Sequence, residues 1–323
     1  MTDSLMTESS GVDPEIQAAR ARQAAACPRI DITSLPTEHA RRLANEAALF
    51  FNDDLPGMRR VTDHEIAGPG SVLRLRLFEP QSRSGRGGIF YIHGGGWFHC
   101  NVQTHGRIMR LLAESSGVPV CGIDYRLAPE HPFPAPLEDC IAGWRWFVAR
   151  ADQFDLDPAR LAIAGDSSGA QLALSLCIHE RDAGLQLPAG ASLFYGCFTP
   201  EFETESYSQM GGGAFGLTTL RMRWYWSNYL GAVADNPPQL AAPLRADLRN
   251  VPPMYLGVAA LDPVADDSRQ LASSILRAGG SVELDVWPNA VHGFLQMTRD
   301  VGLARTALVK ASEFVRKRIA DGH

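Results

Sequence analysis

The sequence predicts an α/β fold in which a mostly parallel β-sheet is flanked by helices and covered by a helical cap. Two observations carry this prediction. Short apolar runs alternate with helical stretches from residue 89 to residue 319, which is typical of strands joined by helical crossovers. The length of 323 residues and the hydrophobic content of 45% suffice for one large core. We therefore expect one catalytic domain that carries cap segments.

The sheet is expected to begin with a hairpin. Residues 61–66 and the alternating residues 73–77 flank Gly68-Pro69-Gly70, a turn signal that predicts an antiparallel edge. The remaining strands are predicted at 89–92, 118–123, 161–164, 192–195, 254–261 and 282–287. The helices are predicted at 104–115, 137–151, 168–183, 268–278 and 303–319. Their alternation favours a mostly parallel sheet.

Two segments do not follow this alternation, and we expect them to form a cap over the carboxyl edge of the sheet. They are residues 1–55 and residues 199–236, of which the second has helical content but no strand pattern. The catalytic domain then comprises residues 56–198 and 237–323. The second segment contains three consecutive glycines at 211–213, which form either a surface loop or a mobile lid.

Composition and charge narrow the kinds of partner. The formal net charge is −6 and no run of lysine and arginine is present, so we expect a small-molecule partner rather than nucleic acid or an anionic lipid surface. Residues 1–15 contain no apolar signal region, and no window of about 18 uninterrupted apolar residues is present to span a membrane. The sequence therefore predicts a cytoplasmic protein without a membrane span.

Neither the cysteines nor the histidines suggest a metal or a cofactor. The six cysteines lack C-x-x-C spacing and several lie in apolar runs, so we expect buried, reduced thiols. They are Cys27, Cys100, Cys121, Cys140, Cys177 and Cys197. The even spacing of His93, His99 and His105 fits no usual ligand pattern. We expect no metal and no cofactor.

A serine stands in the sequence Gly165-Asp166-Ser167-Ser168-Gly169. The apolar run before it predicts a strand and the residues after it predict a helix, so Ser167 is expected at a strand-to-helix elbow. There its hydroxyl would project at the helix N-terminus, where free amides and partial positive charge favour an anion. The alternative is a serine that only caps the helix. The elbow predicts a nucleophile for acyl transfer.

Three consecutive glycines follow the strand predicted at 89–92, in the sequence His93-Gly94-Gly95-Gly96. Glycines let the backbone approach a substrate carbonyl and direct its N–H groups toward it. Alone, this sequence could be a turn that ends a strand. Together with the elbow, it predicts an oxyanion hole formed by the amides of Gly94, Gly95 and Ser168.

The general base follows from chain order. At nucleophile elbows of this kind the partners follow in the order serine, acid, histidine, which leaves His179, His292 and His323. His179 lies on the helix that the nucleophile begins, and His323 is the last residue. His292 lies in a loop directly after the strand predicted at 282–287 and is the predicted base.

The acid is expected at the end of the preceding strand. Asp262 follows the run 254–261, and Pro263 ends that strand. Asp285 is a weaker candidate because it lies in the middle of a strand. Asp266 and Asp267 more naturally occupy the first turn of the next helix. We therefore assign the acid to Asp262.

Aromatic side chains offer apolar surface for the acyl or alcohol group. Trp97 and Phe98 lie beside the glycine loop, and Phe215 follows the three glycines of the second cap segment. The second cap segment also holds Trp224, Tyr225 and Trp226. Packing in the core is an equally good explanation for each. We expect Trp97, Phe98 and Phe215 at the substrate pocket.

Five motifs in one order resemble those of the bacterial hormone-sensitive-lipase-like carboxylesterases, of the α/β-hydrolase superfamily. They are His-Gly-Gly-Gly-Trp at 93–97, Asp-Tyr-Arg-Leu-Ala-Pro-Glu at 124–130, Gly-Asp-Ser-Ser-Gly at 165–169, Leu-Asp-Pro at 261–263 and His-Gly-Phe at 292–294. The similarity covers about residues 60–320. It implies an α/β-hydrolase fold, a two-part cap, hydrolysis of small acyl esters, no cofactor, and a homodimer paired through the last strand.

Two positions depart from that family, which usually has alanine where this chain has Ser168 and glycine where it has Ala170. Neither change removes a backbone N–H. The Ser168 hydroxyl either caps its helix, which we favour, or reaches the oxyanion. The expected function is a serine carboxylesterase. An amidase or arylformamidase with the same triad, and a small-molecule binding protein on the same fold, are the alternatives.

Overall fold

A computed structural model of the chain describes residues 11–27 and 30–320. The strands are β1 (Arg60–Ala67), β2 (Val72–Glu79), β3 (Gly88–Ile92), β4 (Val120–Asp124), β5 (Leu161–Asp166), β6 (Ala191–Phe194), β7 (Met254–Leu261) and β8 (Val282–Val291). The helices are α1 (Pro14–Ala26), α2 (Thr37–Leu49), α3 (Gly106–Ser116), α4 (Ala135–Ala149), α5 (Ser168–Asp182), α6 (Glu205–Met210), α7 (Thr219–Leu230), α8 (Ala265–Arg277) and α9 (Gly302–Ala320). Every strand and helix predicted from the sequence is present, with ends that differ by a few residues.

The strands form one eight-stranded sheet in the order β1-β2-β4-β3-β5-β6-β7-β8. β2 runs antiparallel to β1 and to β4, whereas every pairing from β4 to β8 is parallel. The central strands β3, β5 and β6 are buried along their whole length, which explains their continuous apolar runs in the sequence. The prediction of a mostly parallel sheet flanked by helices is confirmed.

Helices cover both faces of the sheet. α3 and α9 pack on the face that carries Tyr91 of β3. α4, α5 and α8 pack on the face that carries Phe90. Neighbouring residues of a strand point to opposite faces, so β3 contributes apolar side chains to both buried layers.

The last strand is longer than predicted. The sequence pattern ends it at residue 287, before Pro288, yet β8 runs to Val291, which pairs with Leu261 of β7. β8 lies at the edge of the sheet, and an edge strand tolerates proline because one side of its backbone has no strand partner. His292 therefore follows the strand directly instead of lying in a loop.

The described residues before β1 and those between β6 and β7 contain helices but no strand of the sheet. α1 begins after Asp13, whose carboxylate accepts hydrogen bonds from two amides of the first turn. α2 is tied to the glycine loop by Arg41, which donates to the carbonyl of Phe98 at 2.7 Å. The glycines at 211–213 lie in the loop between α6 and α7. Both helical segments thus adjoin the loop that follows β3 and the space beside it.

Parts of two predictions lie outside the described residues. Residues 1–10 and 28–29 belong to the expected N-terminal cap segment, and His323 is one of the alternative bases. Within the described ranges, no helix combines the length and the apolar character needed to cross a membrane.

Candidate active site

Ser167 lies on the sharp turn between β5 and α5. Its backbone has φ 51° and ψ −122°, a left-handed conformation that is costly for a residue with a side chain. Flanking glycines allow the turn: a Cβ on Gly165 would lie 2.6 Å from the carbonyl oxygen of Gly169. A Cβ on Gly169 would collide with the carbonyl oxygen of Ile92. The two glycines therefore let β3, β5 and α5 approach closely and present the serine at the helix N-terminus.

His292 connects Ser167 to Asp262 through two hydrogen bonds. Ser167 Oγ lies 2.9 Å from His292 Nε2, and His292 Nδ1 lies 2.7 Å from Asp262 Oδ2. The fully buried carboxylate keeps the proton on Nδ1, so Nε2 is left to accept the serine proton. His179, the alternative base, instead bonds to the neighbouring Glu180 on α5 at 3.0 Å.

The other candidate acids lie elsewhere. Asp285 accepts a hydrogen bond at 3.0 Å from a tyrosine hydroxyl of β7. Asp266 and Asp267 lie in the first turn of α8, as expected, although that helix begins at 265 rather than at 268. In the described structure none of these three carboxylates bonds to His292, whose Nδ1 contacts Asp262. The structure thus brings together the serine, histidine and aspartate chosen from the sequence.

The structure of the glycine loop after β3 differs from the expected set of oxyanion donors at Gly94. The Gly94 N–H donates to the buried Oδ1 of Asp166 at 3.0 Å, so it is occupied within the protein. Gly95 and Gly96 line the cavity beside Ser167, with φ of 118° and 61°. Among the described residues, their amides meet no protein acceptor. Gly96, rather than Gly94, therefore stands with Gly95 at the cavity.

Ser168 has a different role from both that were expected. It is the first residue of α5, and its Oγ accepts a hydrogen bond from the Trp97 N–H at 3.2 Å. The hydroxyl therefore neither caps the helix nor faces the cavity, which Ser168 does not line. Instead it fastens the glycine loop to the helix that follows the nucleophile.

A cavity of about 260 Å³ opens beside Ser167 and His292. Both expected cap segments contribute to its wall, as does the catalytic part of the chain. From the cap segments it is lined by Arg20, Ala48, Phe215, Gly216, Leu217, Arg221, Met222 and Tyr225. From the rest of the chain it is lined by Gly95, Gly96, His99, Cys100, His105, Asp166, Ser167, Tyr195, Cys197, Val291, His292, Gly293, Gln296 and Met297.

Of the three aromatic residues expected at the pocket, the structure places only Phe215 there. Trp97 is fully buried, stacks on Tyr229 with ring centroids 4.2 Å apart, and donates from its Nε1 to Gln171. Phe98 is also fully buried under the Arg41 guanidinium, 5.1 Å from its ring centroid. The expectation for Trp97 and Phe98 is corrected because both side chains turn into the protein and pack between the sheet and the cap helices.

A buried ion pair anchors the glycine loop. Asp166 Oδ1 accepts from the Tyr91 hydroxyl at 2.8 Å and lies 3.3 Å from His105 Nε2. Burial acts to raise the pKa of Asp166, but the His105 charge and hydrogen bonds bring it below its usual value. Burial acts to lower the pKa of His105, but Asp166 raises it to about 10. The sequence motif contains Asp166 but gives no sign of its partners, which come from β3 and from the start of α3.

Cys100 is a thiol in the cavity wall whose backbone is left-handed, with φ 73°. Its Sγ lies 3.0 Å from His99 Nδ1. Burial acts to raise its pKa, but His99 and His105 outweigh burial and lower it to about 6. In the other buried thiols, burial raises the pKa of Cys121, Cys140, Cys177 and Cys197. Cys27 is partly exposed, against expectation, and all six cysteines are unpaired.

The three evenly spaced histidines differ in their main contacts, although the ring centroids of His93 and His105 also lie 5.5 Å apart. His105 pairs with Asp166, His99 contacts Cys100 and Tyr225, and His93 stacks on Tyr125 with ring centroids 4.3 Å apart. Within the ranges that the structure describes, no group of three or more His, Cys, Asp or Glu side chains is arranged to hold a metal.

Comparisons with known proteins agree with this geometry. A family model described as alpha/beta hydrolase fold matches residues 89–296. The chain is 33% identical over 273 residues to the acetyl esterase of Salmonella typhi, and the match covers 84% of each chain. An ester-hydrolase from the metagenome of Lake Arreo, solved with a bipyridine phosphonate derivative, superposes with a TM-score of 0.89 at 32% identity, covering 96% of this chain and 99% of that one. A hyperthermophilic esterase from the archaeon Pyrobaculum calidifontis superposes with a TM-score of 0.88 at 28% identity, covering 95% and 98%.

These similarities define the class: the chain belongs to the α/β-hydrolase family. Within that family it is a carboxylic ester hydrolase, a serine carboxylesterase. The resemblance to the hormone-sensitive-lipase-like carboxylesterases that the five short motifs indicate is thereby confirmed over most of the chain.

Proposed function

We propose that this chain hydrolyses small esters with short acyl groups through an acyl-enzyme formed on Ser167. The observation that carries the proposal is the hydrogen-bonded chain from Asp262 through His292 to Ser167, which ends at the cavity. In this arrangement the serine has a base within reach and the base has an orienting carboxylate.

In the first half of the reaction, His292 Nε2 accepts the proton of Ser167 as Oγ attacks the ester carbonyl carbon. Asp262 holds the proton on Nδ1 and stabilises the imidazolium that forms. The carbonyl oxygen becomes an oxyanion, which we assign to the amides of Gly95, Gly96 and Ser168. Such fixed donors stabilise charge where it develops, and each typically contributes about a hundred- to a thousandfold in rate.

The tetrahedral intermediate then collapses and the C–O bond to the alcohol breaks, which leaves the acyl-enzyme on Ser167. His292 donates its proton to the departing alcohol oxygen and becomes a base again. A water molecule then gives a proton to His292 as its oxygen attacks the acyl carbon. Collapse of this second intermediate releases the carboxylic acid and returns the proton to Ser167.

The size of the cavity favours short acyl groups. Its volume of about 260 Å³ is near the lower end of the range of about 300–1,000 Å³ that is usual for pockets that bind drug-sized ligands. Acyl and alcohol parts must share this space. The Salmonella typhi relative is named an acetyl esterase, which supports acetyl as an acyl group that this chain accepts.

The two helical segments outside the alternating pattern act, in this proposal, as a two-part cap. Residues 1–55 and 199–236 would cover a catalytic domain made of 56–198 and 237–323. Support comes from the cavity wall, to which both segments contribute side chains. The Arg20 guanidinium of the first segment also lies against Gly216 of the second, so the two parts meet at the cavity.

The first test compares the wild type, Ser167→Ala and His292→Asn on p-nitrophenyl esters of acetic, butyric, hexanoic and octanoic acid. We expect kcat to fall about a millionfold in Ser167→Ala, and kcat/KM of the wild type to fall from the acetate to the octanoate. His179→Asn is the matched control, because His179 lies outside the cavity, and it should keep wild-type kcat.

Three outcomes would contradict the proposal. A folded wild type that cleaves matched amides but no ester would indicate an amidase or arylformamidase. A wild type that binds esters without turnover would indicate a binding protein. Equal losses in His179→Asn and His292→Asn would remove His292 from its assigned role.

We also propose that two copies pair through β8 and that the enzyme works in the cytoplasm. β8 is an edge strand with exposed Leu284 and Val286, and unpaired strand edges offer backbone groups to a second copy. Six unpaired cysteines suit a reducing compartment. Light scattering in solution tests the dimer, and fractionation of the source cells tests the location.

A further inference from the structure

The cap side of the cavity carries positive charge. The polar residues that line it from the cap are Arg20, Arg221 and Tyr225. Among the described cap residues that line the cavity there is no carboxylate. Among all described residues of the wall, the one acid is Asp166, which comes from β5 and pairs with His105. A neutral ester carries no charged group that could contact Arg221 in this wall.

Arg221 is held close to the reacting end of the cavity. It lies one helical turn before Tyr225 on α7, and residues four apart share one face of a helix. The Tyr225 ring packs against the glycine loop. It lies so close to Gly96 that a Cβ on this glycine would be 2.5 Å from Tyr225 Cδ1. Arg221 is therefore about 5–6 Å, measured between Cβ atoms, from a residue that touches the candidate oxyanion loop.

The ion pair that Arg221 makes within the protein is weak. Its NH2 lies 4.0 Å from Asp31 Oδ1, and the Asp31 side chain is 65% exposed. Exposed pairs of this kind contribute little and are screened by salt. A carboxylate that met this guanidinium in bidentate geometry would bind it more strongly than the 4.0 Å contact with Asp31 does.

Arg20 brings a second cation to this wall from the other cap segment. Its NH2 lies 3.0 Å from the position of a Cβ on Gly216. Gly216 has φ 107°, and the guanidinium occupies the space that a side chain there would need. The loop between α6 and α7 therefore holds Arg20 at the cavity wall between Phe215 and Leu217.

We propose that the preferred substrates are esters that also carry an ionised carboxylate, such as the half-esters of dicarboxylic acids, and that Arg221 binds this carboxylate. The inference rests on the proposed esterase function and names its substrate class. Since the carboxylate is remote from the reacting carbon, it binds equally in the ground state and the transition state. Its effect is therefore expected in KM rather than in kcat.

The test measures ethanol release from the monoethyl esters of malonic, succinic, glutaric and adipic acid. Each is compared with the ethyl ester of the corresponding half-amide, which has the same shape but no charge. At its best chain length, the wild type should show a kcat/KM about tenfold or more higher for the anion, with the difference in KM. Higher salt should reduce this preference.

Arg221→Gln should lower the preference about tenfold, because KM for the anionic ester rises more than KM for the neutral half-amide ester does. Arg221→Lys, which keeps the charge, should retain part of the preference. Arg223→Gln is the matched control: Arg223 lies on the same helix, stacks 4.3 Å from the Phe202 ring centroid and does not line the cavity. It should leave the preference unchanged.

Two results would overturn the inference while the esterase function stands. One is a wild type that hydrolyses p-nitrophenyl acetate but favours the neutral ester at every chain length. The other is an anion preference that Arg221→Gln leaves intact or lowers no more than Arg223→Gln does. A wild type that hydrolyses neither ester series nor p-nitrophenyl acetate overturns the proposed function together with this inference.

Discussion

At the scale of single residues, the identity of the acid depends on which carboxylate reaches His292. Asp262 follows β7, is fully buried, and accepts the Val264 amide on Oδ1 at 3.1 Å while Oδ2 holds His292. Asp285 lies in the adjacent strand but points to Tyr255. The carboxyl end of a parallel strand faces the site and its middle does not. The position of each aspartate along its strand therefore distinguishes Asp262 from Asp285.

Asp262→Asn is expected to lower kcat by about 10⁴-fold, because an amide in this place favours the wrong tautomer of His292. KM should change little, since Asp262 does not line the cavity. Initial rates with p-nitrophenyl acetate measure both constants. Asp285→Asn is the matched control and should keep kcat within about twofold. Similar losses in the two variants would show that Asp262 is not the orienting acid.

At the scale of elements, three of the hydrogen bonds that fasten the glycine loop connect it to different parts of the fold. Gly94 donates to Asp166 at the end of β5, and the carbonyl of His93 accepts from the Tyr125 hydroxyl at 2.9 Å. The Trp97 amide donates to Ser168 at the start of α5. The loop is thus positioned from both the sheet and the helix that carry the nucleophile.

Ser168→Ala is expected to lower the free energy of unfolding by about 1–3 kcal/mol, because the Trp97 N–H is then buried without an acceptor. We also expect kcat to fall about tenfold, since the loop that carries Gly95 and Gly96 loses one fastening. Urea unfolding and p-nitrophenyl acetate kinetics measure the two effects.

Ser192→Ala is the matched control for that variant. The Ser192 Oγ in β6 is buried and has no partner among the described residues, so its removal should not lower stability. If Ser168→Ala were as stable and as active as Ser192→Ala, the hydrogen bond to Trp97 would have no structural importance.

At the scale of the whole molecule, the sheet brings the site together, and two buried groups of the site, His105 and Cys100, make the free energy of unfolding depend on pH. The pKa of His105 is raised from 6.5 to about 10 on folding, so its contribution to stability is complete below pH 6.5 and is lost as the pH rises toward 10. The pKa of Cys100 is lowered from 9.0 to about 6, so its contribution is complete above pH 9.0 and is lost as the pH falls toward 6. Between pH 6.5 and 9.0 the two slopes oppose each other.

Cys100→Ala is therefore expected to make the free energy of unfolding fall as the pH rises from 6.5 to 9.0, more steeply than in the wild type. The remaining His105 still has its raised pKa, because Asp166 stays in place. Urea unfolding at several pH values measures the slope. Cys121→Ala should keep the wild-type slope, since burial raises the pKa of Cys121 and it stays protonated. Equal slopes in the two variants would refute the opposed contributions.

Several structural errors of the sequence-based predictions share one origin. Gly94, Gly95 and Gly96 are chemically identical, and only the carboxylate of Asp166, brought by β5, occupies one of their amides. Trp97 follows them and looks equally suited to a pocket, yet its contacts with Tyr229 and Gln171 place it in the core. No local pattern distinguishes these possibilities.

The sequence by itself determined the parallel sheet, the elbow at Ser167 and the choice of Asp262 and His292. These follow from local periodicity, from the conformational needs of glycine, and from the order of strands along the chain. Only the tertiary structure decided that Asp166 occupies the Gly94 amide while Gly96 lines the cavity, that Ser168 fastens the glycine loop, and that Arg20 and Arg221 line one cavity wall. Each of these depends on contacts between segments far apart in the chain, whose approach is set by packing of the sheet, its helices and the cap rather than by any local run of residues.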